Sequence, residues 1–305
     1  MFVLNAEPLG YSVKAIESWT QKGYNYKTSS WDEIMQQQQI DEVNILITRL
    51  AKKIDDQVLV KFPSLTHLVT ATTGLDHIDI NALNNRNIKL LSLRGHDKFL
   101  KTIPSTAEHT WALLLALLRN IPTANEHVKK GFWERDMFRG YQLKGKTIGI
   151  IGMGRTGTKV ASYAKAFDMN VCFVDPLVDN NNFTKCHSLD TLLGMSDVIS
   201  IHVHLKDDTQ NLLNAHNTGM IKNGCLLINT SRGKIIDEEA VVQALAIGKI
   251  SGIATDVLAY ELDDIKKSPL WMAQQEKKNI IITPHIGGAT YDAMWACEEF
   301  IAELL

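Results

Sequence analysis

The chain is poor in the features that mark several large protein classes. Only four of its 305 residues are cysteines, at 172, 186, 225 and 297, and none shows CxxC spacing. The expected state is four reduced thiols in a cytoplasmic protein, without a disulfide framework and without a bound metal. No apolar run approaches the roughly 18 residues of a membrane span. The opening MFVLNAEPLGYSVKAIE has neither a basic n-region nor a cleavage pattern, so no signal peptide is expected. Excess positive charge is missing too. The net charge is −2 with no basic stripe, which argues against nucleic acid as the main partner.

What is present is a chain that is 45% hydrophobic and 22% charged, long enough for about two domains. Its most informative stretch is KTIGIIGMGRTGTKVASYAKAFDMNVCFVDP, residues 146–176. A short β-branched run (147–151) leads directly into Gly152-Met153-Gly154-Arg155-Thr156-Gly157. An amphipathic segment (155–167), a second apolar run (170–174) and Asp175 follow. Strand, glycine turn, helix, strand and acid within about 30 residues form a dinucleotide-binding βαβ unit. Gly152 permits the tight turn, Gly154 lets backbone N–H groups approach a pyrophosphate, and Gly157 allows close helix–strand packing. The helix N-terminus attracts the anion. Asp175 can accept both ribose hydroxyls and would repel a 2′-phosphate. No basic residue follows in 176–183, so the expected cofactor is NAD rather than NADP.

Strand-like runs alternate with helical stretches on both sides of this unit. Upstream they are 2–5, 44–48, 68–72 and 88–93; from residue 147 onward there are six, the later ones at 198–203, 225–229, 250–255 and 280–283. The predicted fold is α/β, two Rossmann-like doubly wound parallel sheets. Residues 94–102 (RGHDKFLKT) read as a loop or hinge. The run 111–118 is apolar at every position and must be buried, between domains or in a subunit interface.

Ligands in open α/β sheets sit beyond the carboxyl ends of the strands. There the sequence places Arg232 after CLLIN, Glu261 after ISGIATDV, and His285 after IIIT. Arg232 offers a planar fork for a carboxylate and a positive field on a carbonyl oxygen. His285 can give or take a hydroxyl proton near neutral pH. Glu261 could fix its tautomer, although spacing alone leaves Asp263 and Asp264 as rivals. A hydride acceptor, a carboxylate clamp and a proton shuttle suit 2-hydroxyacid oxidation. His77, His109, His202 and His204 read as structural.

Seven motifs in order then carry a resemblance over nearly the whole chain: TTGLDHID (72–79), STAEHT (105–110), WER (133–135), GMGRTG (152–157), NTSRGKIIDEEA (229–240), DVLAYE (256–261) and TPHIGGAT (283–290). The chain resembles the D-isomer-specific 2-hydroxyacid dehydrogenases, most nearly their phosphoglycerate dehydrogenase branch. The resemblance implies Arg232, Glu261 and His285 as catalytic residues. It implies that NAD also touches Thr73, Thr106, Arg155, Thr156, Val203, Thr230, Ser231, Asp256 and Gly287. Substrate would bind the backbone of Thr73, Gly74 and Leu75, with Arg49 and Arg135 at positions that hold phosphate. It further implies a discontinuous substrate domain (1–98 plus 286–305) around an NAD-binding domain (99–285), and a homodimer built on the 111–118 region. No regulatory domain is expected after the last motif. The substrate pair expected first is 3-phosphoglycerate/3-phosphohydroxypyruvate. The 94–102 loop and His204, where the family usually has proline, depart from the pattern. They keep open a glyoxylate or hydroxypyruvate reductase, or a 2-hydroxyacid dehydrogenase of polysaccharide metabolism. An NADH-sensing corepressor-like binding protein is the alternative from another class.

Overall fold

A computed structural model describes residues 1–276 and 278–305 and divides them into two compact units. The first comprises Met1–Ile103 and Ala289–Leu305; the second is Pro104–Gly288. Residues 99–103, which the sequence analysis assigned to the NAD-binding side, and 286–288, assigned to the other, each lie in the opposite unit.

The first unit holds five strands: β1 (Phe2–Asn5), β2 (Asn25–Thr28), β3 (Ile45–Thr48), β4 (His67–Thr70) and β5 (Lys89–Ser92). They form a wholly parallel sheet in the order β2-β1-β3-β4-β5. Side chains alternate across it. Phe2, Leu4, Leu46 and Leu68 enter one core, while Val3, Ile45, Ile47 and Val69 enter another. Helix Tyr291–Glu303 belongs to this unit, and its Cys297, Ile301 and Ala302 complete the second of those cores. Residues 94–102, expected as a loop, contain a short helix, Asp97–Leu100, whose Leu100 is buried in that same core.

The second unit contains β6 (Thr147–Ile151), β7 (Asn170–Val174), β8 (Thr184–Lys185), β9 (Val198–Ile201), β10 (Cys225–Asn229), β11 (Ile250–Thr255) and β12 (Ile280–Ile282). The order is β12-β11-β10-β9-β6-β7-β8, and every pairing is parallel. A parallel sheet covered by helices on both faces needs strands apolar on both sides, as TIGII, VISI and CLLIN are. Ile148, Ile150 and Ile228 face one core; Ile151, Ile201 and Leu227 face the other. The direction in which successive strands are added reverses between β6 and β9, the switch point where such sheets bind ligands.

Helix Ser105–Leu118 corrects one expectation. Its apolar run lies in the core of its own unit, with Leu113, Leu114 and Leu117 at most 4% exposed. Trp111 stacks on Phe167 at 4.7 Å and donates its indole N–H to the Val160 carbonyl at 3.3 Å. The exposed apolar side chains come afterwards instead: Ile121, Val128, Phe132, Trp133, Met137 and Tyr141. Among the described residues, no helix is long and apolar enough to cross a membrane.

Candidate active site

The glycine turn leaves β6 with Gly152 at φ 92°, a conformation that excludes most side chains. A Cβ there would also lie 2.6 Å from the His202 carbonyl oxygen and 2.7 Å from Val203 Cγ1, so β6 and the end of β9 close tightly. At Gly157 a Cβ would lie 2.0 Å from the Gly152 oxygen, which fixes helix Arg155–Ala166 against the turn. Gly154 differs. A Cβ there would meet nothing within 4 Å, and no side chain caps the helix. The open space and uncapped N-terminus fit a pyrophosphate approached by backbone N–H groups.

Asp175 stands beyond β7 beside this turn. Its Oδ2 accepts the Met153 N–H at 2.8 Å, and Oδ1 accepts those of Leu177 (2.8 Å) and Val178 (3.1 Å). These bonds fix the carboxylate, and Oδ2 keeps a further lone pair for a ribose hydroxyl. The residues present fit NAD.

The carboxyl ends of β10, β11 and β12 lie side by side and carry the three polar residues. His285 Nδ1 is 3.0 Å from Glu261 Oε1, with each side chain about one-quarter exposed, 27% and 26%. Glu261 Oε2 also accepts the Leu258 N–H at 3.3 Å, so it is Glu261, rather than Asp263 or Asp264, that the structure brings to the imidazole. Asp263 instead pairs with Lys267. Arg232 follows β10 in extended backbone and donates from Nη1 to the Ser231 carbonyl at 2.7 Å. Its segment is locked to that of Glu261 at Gly233, where a Cβ would lie 2.0 Å from the carbonyl carbon of Leu258. Only glycine allows two backbones so close. The carboxylate of buried Glu238 accepts the Ala259 N–H at 2.7 Å and steadies the same loop.

Asp256, 2% exposed at the end of β11, was expected only as a cofactor contact. The structure surrounds it with donors: His109 Nε2 at 3.2 Å, Thr283 Oγ1 at 2.5 Å, and the N–H groups of Ile286 (2.9 Å) and Gly287 (2.7 Å). Burial raises the pKa of this carboxyl, but the four donors outweigh it and hold it below the usual carboxylate range. His109, read as structural from sequence, therefore reaches the loop of His285 through Asp256. Thr230 bonds the Thr110 hydroxyl at 2.8 Å, and Ser231 donates to the Ile201 carbonyl at 3.1 Å. Thr106 lies near Gly287, its Cγ2 3.5 Å from where a Cβ on that glycine would be.

In the first unit, Thr73, Gly74 and Leu75 follow β4. Among the described residues their N–H groups donate to no backbone or side-chain acceptor. Arg49 is engaged. It forms a part-buried ion pair with Glu298, through Nη2 and through Nε at 3.1 Å, and donates from Nη1 to the Leu9 carbonyl at 2.8 Å. Burial pushes the Glu298 carboxyl up, against the pull of the Ser12 N–H and the Arg49 guanidinium. In the second unit, Arg135 has a side chain 91% exposed and pairs with its neighbour Asp136 at 3.3 Å.

Residues 111–287 match the family described as D-isomer specific 2-hydroxyacid dehydrogenase, NAD binding domain. The chain belongs to that family. It is 36% identical over 99% of its length to a D-3-phosphoglycerate dehydrogenase of Archaeoglobus fulgidus, of which it spans 56%. It is 35% identical over 86% of its length to a hydroxypyruvate reductase of Thermotoga maritima, covering 83% of that protein. Among solved structures, a D-lactate dehydrogenase of Aquifex aeolicus complexed with NAD and lactic acid is 27% identical. That match covers 100% of this chain and 94% of the other, at a TM-score of 0.76. The unit that matches the family's NAD-binding domain thus also carries Arg232, Glu261 and His285.

Proposed function

We propose that this dehydrogenase interconverts a D-2-hydroxyacid and its 2-oxoacid with NAD(H), through His285, Glu261 and Arg232. The observation that carries the reading is the 3.0 Å bond between His285 Nδ1 and Glu261 Oε1. A carboxylate accepting from Nδ1–H leaves Nε2 to carry the exchanged proton. When bound, the nicotinamide supplies or accepts the hydride. Arg232 binds the substrate carboxylate and draws charge onto the carbonyl oxygen, which stays on its carbon and takes the His285 proton to become the product hydroxyl. The glycine turn holds the pyrophosphate, and Asp175 the ribose.

The resemblance and the archaeal relative support the 3-phosphohydroxypyruvate pair. The engagement of Arg49 by Glu298, and of Arg135 by Asp136, favours a second reading, an unphosphorylated acid such as hydroxypyruvate or glyoxylate. NADH oxidation measured side by side with 3-phosphohydroxypyruvate, hydroxypyruvate, glyoxylate and 2-oxoglutarate separates the two by kcat/KM. Tight NADH binding without turnover of any acid would sink the enzyme reading and leave the corepressor-like one. We assign the exposed face around Ile121–Tyr141 to a homodimer, since Trp133 alone is 87% exposed. Four free, buried thiols fit the cytoplasm.

A further inference from the structure

His285 is held in an uncommon backbone conformation, φ 55°, and one residue grips it from both sides. The Asp256 carbonyl accepts the His285 N–H at 2.8 Å. The Asp256 carboxylate accepts the next two, Ile286 N–H on Oδ1 at 2.9 Å and Gly287 N–H on Oδ2 at 2.7 Å. Three consecutive peptide groups thus hang on Asp256. Oδ1 is in turn fixed from the opposite side by His109 Nε2 at 3.2 Å and Thr283 Oγ1 at 2.5 Å, which are themselves 3.1 Å apart. An ionised carboxylate only accepts, so His109 carries its proton on Nε2 and donates it to Asp256.

We infer that His109 and Thr283 are positioning residues for the proton shuttle, acting on His285 through Asp256. Their donors keep Asp256 ionised and oriented, so that both of its oxygens accept from the shuttle loop. Without them the buried carboxyl would protonate or rotate. The loop would lose one of its two N–H acceptors, and the His285 ring would leave its bond to Glu261. The inference rests on His285 being the acid–base group.

Three variants test it. His109→Phe keeps a ring and removes the donor, His109→Gln keeps an amide donor at similar reach, and Thr283→Val is isosteric without the hydroxyl. A displaced shuttle costs up to about 100-fold, so His109→Phe is expected to lose ~10- to 100-fold in kcat. KM for the oxoacid and Kd for NADH are expected to stay within about threefold. His109→Gln should restore most of the rate, and Thr283→Val should lose rate in the same direction. A second readout needs no turnover: the downfield imidazole N–H resonance that disappears in His285→Asn should shift in His109→Phe and return in His109→Gln. Wild-type kcat in His109→Phe overturns the inference, as does a Gln variant no better than Phe, or NADH affinity falling in step with kcat. If His109→Phe does not fold, wild-type kcat in Thr283→Val overturns it equally. A wild-type protein that turns over no 2-oxoacid, but whose resonance follows His109, refutes the enzyme reading and leaves the positioning intact.

Discussion

His285 shows how local chemistry and backbone geometry meet in one residue. Its ring nitrogen touches Glu261 while its peptide is bound by Asp256. Removing the ring removes proton transfer without touching the glycine turn. His285→Ala is therefore expected to lower kcat by about 10³-fold, with NADH affinity by fluorescence titration nearly unchanged. Loss of cofactor binding in that variant would misplace the residue. His202 makes a prediction about stability. Burial holds its imidazole well below the ordinary range, and Nε2 bonds the Ser200 hydroxyl at 2.8 Å. The unfolded chain then binds a proton that the folded one refuses, so stability present above about pH 6.5 is lost as pH falls toward the depressed folded value. Thermal melts should show about 1–2 kcal/mol less stability at pH 5 than at pH 7 from this group. His202→Gln should flatten that slope, and an unchanged slope would contradict the assignment.

Elements divide by how plainly their residues announce them. The central strands are legible because a parallel sheet covered on both faces demands unbroken apolar runs. β2 is not, because NYKT is an edge strand with three of its four side chains exposed and Tyr26 alone packed against a core. β8 has two residues and no pattern at all. The glycine turn, Arg232 and His285 stood out by short spacings at strand ends, whereas Glu261 was separable from Asp263 and Asp264 only through the resemblance. The His109–Asp256 link was not readable, because it joins a helix to a strand end 147 residues away. Arg49 illustrates the opposite case, since a match of position says nothing of a competing carboxylate. That carboxylate, Glu298, is 1% exposed on helix Tyr291–Glu303 and bonds both Arg49 and the Ser12 N–H. Glu298→Ala would leave the part-buried guanidinium without its carboxylate, at a cost of about 1–3 kcal/mol. Denaturant melts should show this, and Glu298→Gln should recover part of it.

At the scale of the whole molecule, the exposed face after helix Ser105–Leu118 calls for a partner. Ultracentrifugation is expected to give a dimer, and Trp133→Asp, at an 87% exposed position, a monomer that still binds NADH. A monomeric wild-type protein would exclude the assignment. The division of the chain has another consequence, for synthesis. The second unit is one continuous stretch, whereas a core of the first stays open until Cys297, Ile301 and Ala302 arrive. On the ribosome the order is therefore inverted. The N-terminal residues of the first unit wait, with Val3, Ile45 and Val69 incompletely covered, for the segment that follows the cofactor unit. A stalled chain in which a flexible linker after Gly288 carries the whole cofactor unit clear of the exit tunnel should bind NADH-affinity resin before it resists protease in its N-terminal third, and chaperone dependence should concentrate in that waiting segment.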